Sequence, residues 1–182
     1  TVRAEEGDVP ALVQIGRMYE QGLGVGRNPR MAADWFTLAA AQGYLEAQIQ
    51  LAALYGAGPL AMRRPDLALQ WYKSAAEQGD TQAQVNAAIL YASGPRGVVQ
   101  NPEAAAKWYQ FAAEHGHPAA QLAVGLLLED READNPSNLQ AYAWFRLSAA
   151  QGNVRARARV NQMEQSFTPP DLETAQALSR EF

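Results

Sequence analysis

Asp66-Leu67-Ala68-Leu69-Gln70-Trp71-Tyr72-Lys73-Ser74-Ala75-Ala76-Glu77-Gln78-Gly79 decides the fold, because its landmarks return along the chain at one period. Its tryptophan recurs as Trp35, Trp71, Trp108 and Trp144, at steps of 36, 37 and 36 residues. Its closing glycine recurs as Gly7, Gly43, Gly79, Gly116 and Gly152, at steps of 36, 36, 37 and 36. Two independent markers keeping one step identify a repeat array. Such an array presents a shaped surface and rarely a buried catalytic pocket, so the first expectation is a chain that holds other molecules.

Each unit reads as two helices joined by a glycine-containing loop. Second helices are expected to start at Asn28-Pro29, Arg64-Pro65 and Asn101-Pro102, and at Ser137-Asn138 in the fourth unit. An asparagine caps free amides there, and proline fits the first helical turn. They end at Gln42-Gly43, Gln78-Gly79, His115-Gly116 and Gln151-Gly152, where glycine closes a helix in the left-handed conformation. First helices open at Asp8, Tyr44, Asp80, His117 and Asn153, of which the two aspartates and the asparagine are good caps.

Small residues recur in register, as close helix packing requires. Ala11, Ala47, Ala83, Ala120 and Ala156 form one column, and Gly16, Ala52, Ala88 and Gly125 another. Second helices carry Ala32, Ala68, Ala105 and Ala141, then Ala40, Ala76, Ala113 and Ala149. The four tryptophans, with Tyr19, Tyr55 and Tyr91, are expected to pack on these flat faces, and truncating one such buried aromatic should cost about 3–5 kcal/mol.

The 182 residues are 48% apolar, enough for a real core, and the net charge of -4 attracts neither nucleic acid nor an anionic membrane surface. No stretch reaches the length of a membrane-spanning helix. The absence of cysteine excludes disulfides and thiolate metal sites without separating cytosol from periplasm. The chain starts at Thr1, and Ala4-Glu5-Glu6-Gly7-Asp8 reads like Ala76-Glu77-Gln78-Gly79-Asp80, so an earlier unit or a signal segment is expected before it.

The run Ala47-Gln48-Ile49-Gln50-Leu51-Ala52-Ala53-Leu54-Tyr55, followed by Asp66 to Tyr72 and Ser74 to Gly79, resembles the Sel-like repeat. The first unit matches better still, through Ile15-Gly16-Arg17-Met18-Tyr19, Gly22-Leu23-Gly24-Val25 and Ala33-Asp34-Trp35-Phe36. Tetratricopeptide repeats share this logic at 34 residues, and the longer step favours the longer-looped relative. The resemblance implies an all-α, right-handed α/α superhelical solenoid of about four helix-turn-helix repeats. The expected repeats are about 7–42, 43–78, 79–115 and 116–151, followed by a half repeat over 152–165 and a capping helix over about 170–181, in a single array. The third unit carries one extra residue in Ser93-Gly94-Pro95-Arg96-Gly97-Val98-Val99-Gln100, and the fourth has Leu128 for tyrosine and Glu129-Asp130-Arg131-Glu132-Ala133-Asp134 for its glycine loop.

On a tetratricopeptide-like frame, certain first-helix columns face a concave groove. One reads Val13, Ile49, Val85, Leu122; the next, Arg17, Ala53, Ile89, Leu126; beside them run Gln14, Gln50, Asn86. Carboxamides both donate and accept, so this ladder suits the backbone of an extended peptide while the apolar columns take its side chains. In the competing reading these columns are inter-helix packing and the amides are solvated, since helical spacing alone does not separate core from binding face.

Other candidates have plainer explanations. Gly22-Leu23-Gly24-Val25-Gly26 has no preceding strand and no lysine-serine pair, so it reads as a turn. His115 and His117 flank a helix junction without a third metal ligand, and His115 suits a helix C-terminus. The acidic run 129–134 lacks the ligand order of a calcium loop. Arg155, Arg157 and Arg159 read as a solvated face. With no cysteine, no nucleophile motif and two accounted histidines, no catalytic residue, cofactor or metal is expected. The resemblance implies a protein-interaction scaffold or adaptor for a peptide or partner protein, since relatives serve in eukaryotic quality control at the endoplasmic reticulum and in bacterial signalling, envelope assembly, polysaccharide production and host contact. The alanine-rich, lysine-poor, cysteine-free composition leans to a bacterial signalling or envelope/polysaccharide pathway in a periplasmic or envelope setting. The alternatives are a cell-wall or glycan-linked binding module or hydrolase, and a self-assembling array.

Overall fold

The structure, a computed structural model, describes residues 8–129 and 135–180. These residues form ten α-helices and no strand, in two compact units, Thr1–Asn101 and Pro102–Phe182. The first unit holds α1 (Val9–Gln21), α2 (Pro29–Ala40), α3 (Leu45–Ala57), α4 (Pro65–Glu77) and α5 (Thr81–Ser93), with a 3-10 turn over Leu60–Met62. The second holds α6 (Pro102–Glu114), α7 (Pro118–Glu129), α8 (Asn135–Ala150), α9 (Val154–Ser166) and α10 (Pro169–Leu178). Within each unit every helix packs on the next, except that α10 returns to α8. Its Ala175 is fully buried, as expected of a helix that caps a core.

Helix boundaries follow from backbone groups that must be satisfied. The residues before Pro29, Pro65 and Pro102 close the loop within a repeat, since the amides of Asn28, Arg64 and Asn101 donate to the carbonyls of Tyr19, Tyr55 and Tyr91 at 2.8, 2.9 and 2.9 Å. One residue earlier, Arg27, Arg63 and Gln100 each donate a side-chain N–H to a carbonyl near the end of the first helix, those of Glu20, Gly58 and Ala92. Asn28 then accepts from the amides of Arg30 and Met31, both at 3.2 Å.

At the other junction Gly43, Gly79, Gly116 and Gly152 all have φ between 82° and 92°. A Cβ added to any of them would meet nothing within 4 Å, so the left-handed backbone and not crowding demands glycine there. Their amides donate to Ala40, Ala76, Ala113 and Ala149 at 2.9–3.0 Å. Asp80 and Asn153 cap the following helices through their side chains, whereas Asp8 makes no side-chain cap.

The fourth second helix begins at Asn135 and not at the expected Ser137-Asn138, so α8 has 16 residues against 12 or 13 for its counterparts. The Asn-Pro signal is present but lies outside the strict step, at Asn135-Pro136. Asp130 to Asp134 of the acidic loop lie outside the described residues.

The alanine columns are buried apart from the half-buried Ala11, with Ala32, Ala47, Ala68, Ala120, Ala141 and Ala156 at 0% exposure. The deepest rings are not the tryptophans. Phe36, Tyr142 and Phe145 are at 0% exposure, while Trp35, Trp71 and Trp108 are half-buried and only Trp144 is sealed.

Polar groups stitch the repeats as well. Gln48, Gln84 and Gln121 are buried and donate to the carbonyls of Ala40, Ala76 and Ala113 at the end of the preceding helix, at 3.3–3.4 Å. Gln78 in turn donates to the Gly43 carbonyl at 3.1 Å and to Gln48 Oε1 at 2.7 Å, and Gln151 does the same to Gly116 and Gln121, both at 2.9 Å. Gln78→Ala removes the donor to a buried oxygen and should cost about 1–3 kcal/mol in urea unfolding. The equivalent Gln42→Ala loses only an exposed contact to Leu38 and should stay within about 0.5 kcal/mol. Equal effects of the two would show that water replaces the clamp.

Candidate functional site

In the first unit the proposed partner-facing columns lie on α1, α3 and α5. Val13 and Val85 are buried, at 1% and 4% exposure, and Val13 belongs to the core cluster around Phe36. These two side chains form the packed base of the face. Ile49, Gln50 and Ala53 are half-buried, and Ile89 is 48% exposed. The columns therefore mix packing and accessible positions, which their common spacing hid.

The polar members differ too. Arg17 forms an ion pair with Glu46 of α3, linking two successive first helices. Asn86 accepts from Gln82 at 3.3 Å and bonds the Tyr72 hydroxyl; burial raises the Tyr72 pKa, and the bond from Asn86 opposes that rise in part. Gln14 is exposed and Gln50 half-buried, and these two amides carry the open hydrogen-bonding capacity of this ladder.

In the second unit Leu122 is 8% exposed and Leu126 half-buried. Together with Arg155, Ala158 and Arg159 of α9 they line a depression of about 280 Å3. Arg159 is held there, pairing with Glu129 at 2.6 Å and donating to Gln162 at 3.1 Å. Arg155 is exposed, and its guanidinium has no partner among the described residues. Of the three arginines expected on a solvated face, one is thus fixed in an ion pair beside an apolar floor and one stands free at the rim. An apolar floor with a guanidinium at its rim has the chemistry for an aliphatic side chain next to a carboxylate.

Two other sequence candidates have structural roles. Gly22 closes α1 with φ 78°, its amide donating to the Met18 carbonyl at 2.8 Å. His115 places Nδ1 2.8 Å from the Phe111 carbonyl in the last turn of α6, the helix it follows. Among the described residues no group of histidines and carboxylates could hold a metal ion, and no helix is long and apolar enough to cross a membrane. The buried glutamines beside the columns are not among the residues expected at this face, yet Gln48, Gln84 and Gln121 repeat with the tryptophans' step, a recurrence that marks them in the sequence.

Comparison with known proteins bears on what this face does. The family described as the Sel1 repeat matches four times in succession, over residues 9–44, 45–80, 81–117 and 118–153. Among solved structures, the chain is similar to a Sel1 repeat protein from Oxalobacter formigenes, at 32% identity and a TM-score of 0.71, covering 84% of this chain and 63% of that one. It is also similar to c5321, a protective antigen present in uropathogenic Escherichia coli strains displaying an SLR fold, at 28% identity and a TM-score of 0.54, covering 98% of this chain and 46% of that one. The chain thus spans less than two thirds of the length of either neighbour. A search of the curated proteins finds no match.

Proposed function

From the premise that this chain belongs to the Sel1 repeat family, we propose that it is a non-catalytic scaffold that holds a partner protein or peptide on the first-helix face of each of its two units. Sel1 repeat proteins act in general as protein-interaction scaffolds. The contact residues are Gln14, Arg17, Ile49, Gln50, Ala53, Asn86 and Ile89 in the first unit and Leu122 and Leu126 in the second, with Val13 and Val85 as the packed base beneath them. The observation that carries this reading is the depression over Leu122 and Leu126, where an apolar floor meets an uncommitted guanidinium at Arg155. Interface hot spots combine such an anchor pocket with arginine. The bacterial source of both structural neighbours supports a bacterial setting, and we place the partner in a signalling or envelope/polysaccharide pathway.

The test is affinity capture on the immobilised chain, followed by Ile89→Asp and Arg155→Glu variants against whatever is retained. Both positions are exposed, so helical content and melting should be unchanged. Loss of one hot-spot contact should weaken binding about tenfold or more. Unchanged affinity in both variants would remove the first-helix face as the binding surface.

A further inference from the structure

Two loops of the first unit enclose a cavity of about 530 Å3 that the first-helix face does not use. Its lining is Leu60, Arg63, Arg64, Pro65 and Asp66 from the second repeat and Arg96 and Gly97 from the third. Arg96 and Gly97 belong to the loop that carries the array's one extra residue.

Both walls are fixed by bonds of their own. On one side the 3-10 turn over Leu60–Met62 leads to Arg63, whose Nε donates to the Gly58 carbonyl at 3.1 Å. Arg64 grips Asp66 with two bonds, at 3.0 and 2.7 Å, which raises the arginine pKa and lowers that of the carboxyl, so both stay charged. On the other side Gly94 and Gly97 take left-handed conformations, at φ 54° and 89°, and the Val98 amide closes a turn on the Pro95 carbonyl at 2.8 Å. Val98, 9% exposed, tacks the loop down. A Cβ on Gly97 would lie 3.5 Å from Asp66 Cβ, so the loops meet closely at that point.

The chemistry of the lining is lopsided. Three guanidiniums face one carboxylate, leaving a local charge of about +2 on a chain whose net charge is -4. Arg64 is neutralised by Asp66; Arg63 keeps its terminal N–H groups; Arg96 is exposed, with no partner among the described residues. Next to this charge Leu60 is 80% exposed, and Val99, two residues beyond Gly97, is 86% exposed. An exposed aliphatic on each loop, with Leu60 in the same lining as guanidinium N–H groups that are still open to a partner, is the composition of a contact site.

We infer that this cavity is a second docking site, specific for an acidic peptide segment that carries an aliphatic side chain next to its carboxylates. The segment's carboxylates bond Arg63 and Arg96, and its aliphatic side chain covers Leu60. A free inorganic anion would leave Leu60 unused, and a long polyanion would meet the negative charge of the remaining chain. The inference rests on the scaffold reading but uses a different surface, so the two fail separately.

The experiment selects binders from a phage-displayed random heptapeptide library on the immobilised full chain. The enriched peptides are then synthesised with a fluorescent label and measured by polarisation. Peptides with Asp or Glu beside Leu, Ile or Val are expected. Their Asn/Gln counterparts, and binding to Arg96→Glu, should each be weaker by about tenfold or more, as expected for loss of a charge-assisted bond. Leu60→Ser should weaken binding as well, with circular dichroism and melting unchanged, and millimolar inorganic phosphate should not displace the peptide. Enrichment without carboxylates, full binding to Arg96→Glu, or displacement by phosphate would overturn the proposal. Peptides lost on Ile89→Asp or Arg155→Glu but retained by Arg96→Glu would overturn it while upholding the first-helix face.

Discussion

Phe36→Ala is expected to destabilise the first unit by about 3–5 kcal/mol, more than the same truncation at the neighbouring Trp35. The Phe36 ring is at 0% exposure and sits in a cluster with Leu12, Val13, Ala32, Ala33 and Leu51, all of them buried. Helix α1 lies against it through Gly16, which has no side chain with which to fill a vacancy. Alanine at 36 therefore leaves a cavity bordered by Gly16, Ala32 and Ala33, which have no longer side chain to fill it, and a site that collapses poorly gives the upper part of the range. Trp35 is half-buried, so its removal exposes less apolar surface to a new void. Against a typical domain stability of about 5–15 kcal/mol, the loss at Phe36 should bring the unfolding midpoint in urea down sharply. Phe145, at 0% exposure against Gly125 in the second unit, should respond alike. A larger loss at Trp35 than at Phe36 would contradict this ranking of the rings.

That ranking was not legible in the chain, and the reason is geometric. Trp35 and Phe36 are adjacent on one helix, both lie within a broad apolar stripe, and the period that marks them as core-facing does not say which ring points deeper. The same limit applies to the first-helix columns. Val13 and Ile89 are related by repeat logic to the same face, yet one is at 1% and the other at 48% exposure, because the difference lies in how neighbouring helices cover them. Arg17 could be assigned to that face from spacing, but its ion pair with Glu46 joins residues of two helices and has no local signature. What the sequence does disclose are the features governed by local backbone rules. The glycines at 43, 79, 116 and 152 and the prolines at 29, 65 and 102 stand where left-handed closure and helix entry require them. At the start of α8 the repeat step and the local rule disagree, and the helix begins at the Asn-Pro pair and not where the step puts it.

Gly16→Ala should cost about 2 kcal/mol net, although alanine is the better helix former. A Cβ at Gly16 would lie 2.5 Å from Phe36 Cε1 and 2.7 Å from Cδ1, and at Gly125 the distances to the matching atoms of Phe145 are the same. The ring is enclosed and cannot swing away, so the helices must part or the ring must leave its rotamer, at a cost of about 1–3 kcal/mol or more. Helix propensity returns only about 1 kcal/mol, and an overlap this deep puts the cost at the upper end. The repeats record the same constraint, pairing Gly16 with Phe36 and Gly125 with Phe145, but Ala52 with Tyr72 and Ala88 with Tyr109 in sequence register, and both tyrosines are only half-buried. Gly56 supplies the control, because a Cβ there would lie 3.6 Å from Ala68 Cβ, an ordinary contact, and Gly56→Ala should stabilise by up to about 1 kcal/mol. The decisive measurement is a double-mutant cycle. In a Phe36→Ala background the added methyl at position 16 enters empty space, so Gly16→Ala should become neutral or stabilising, a coupling of about 2–3 kcal/mol. Additive losses in that cycle would mean that the glycine is held there for some reason other than the ring.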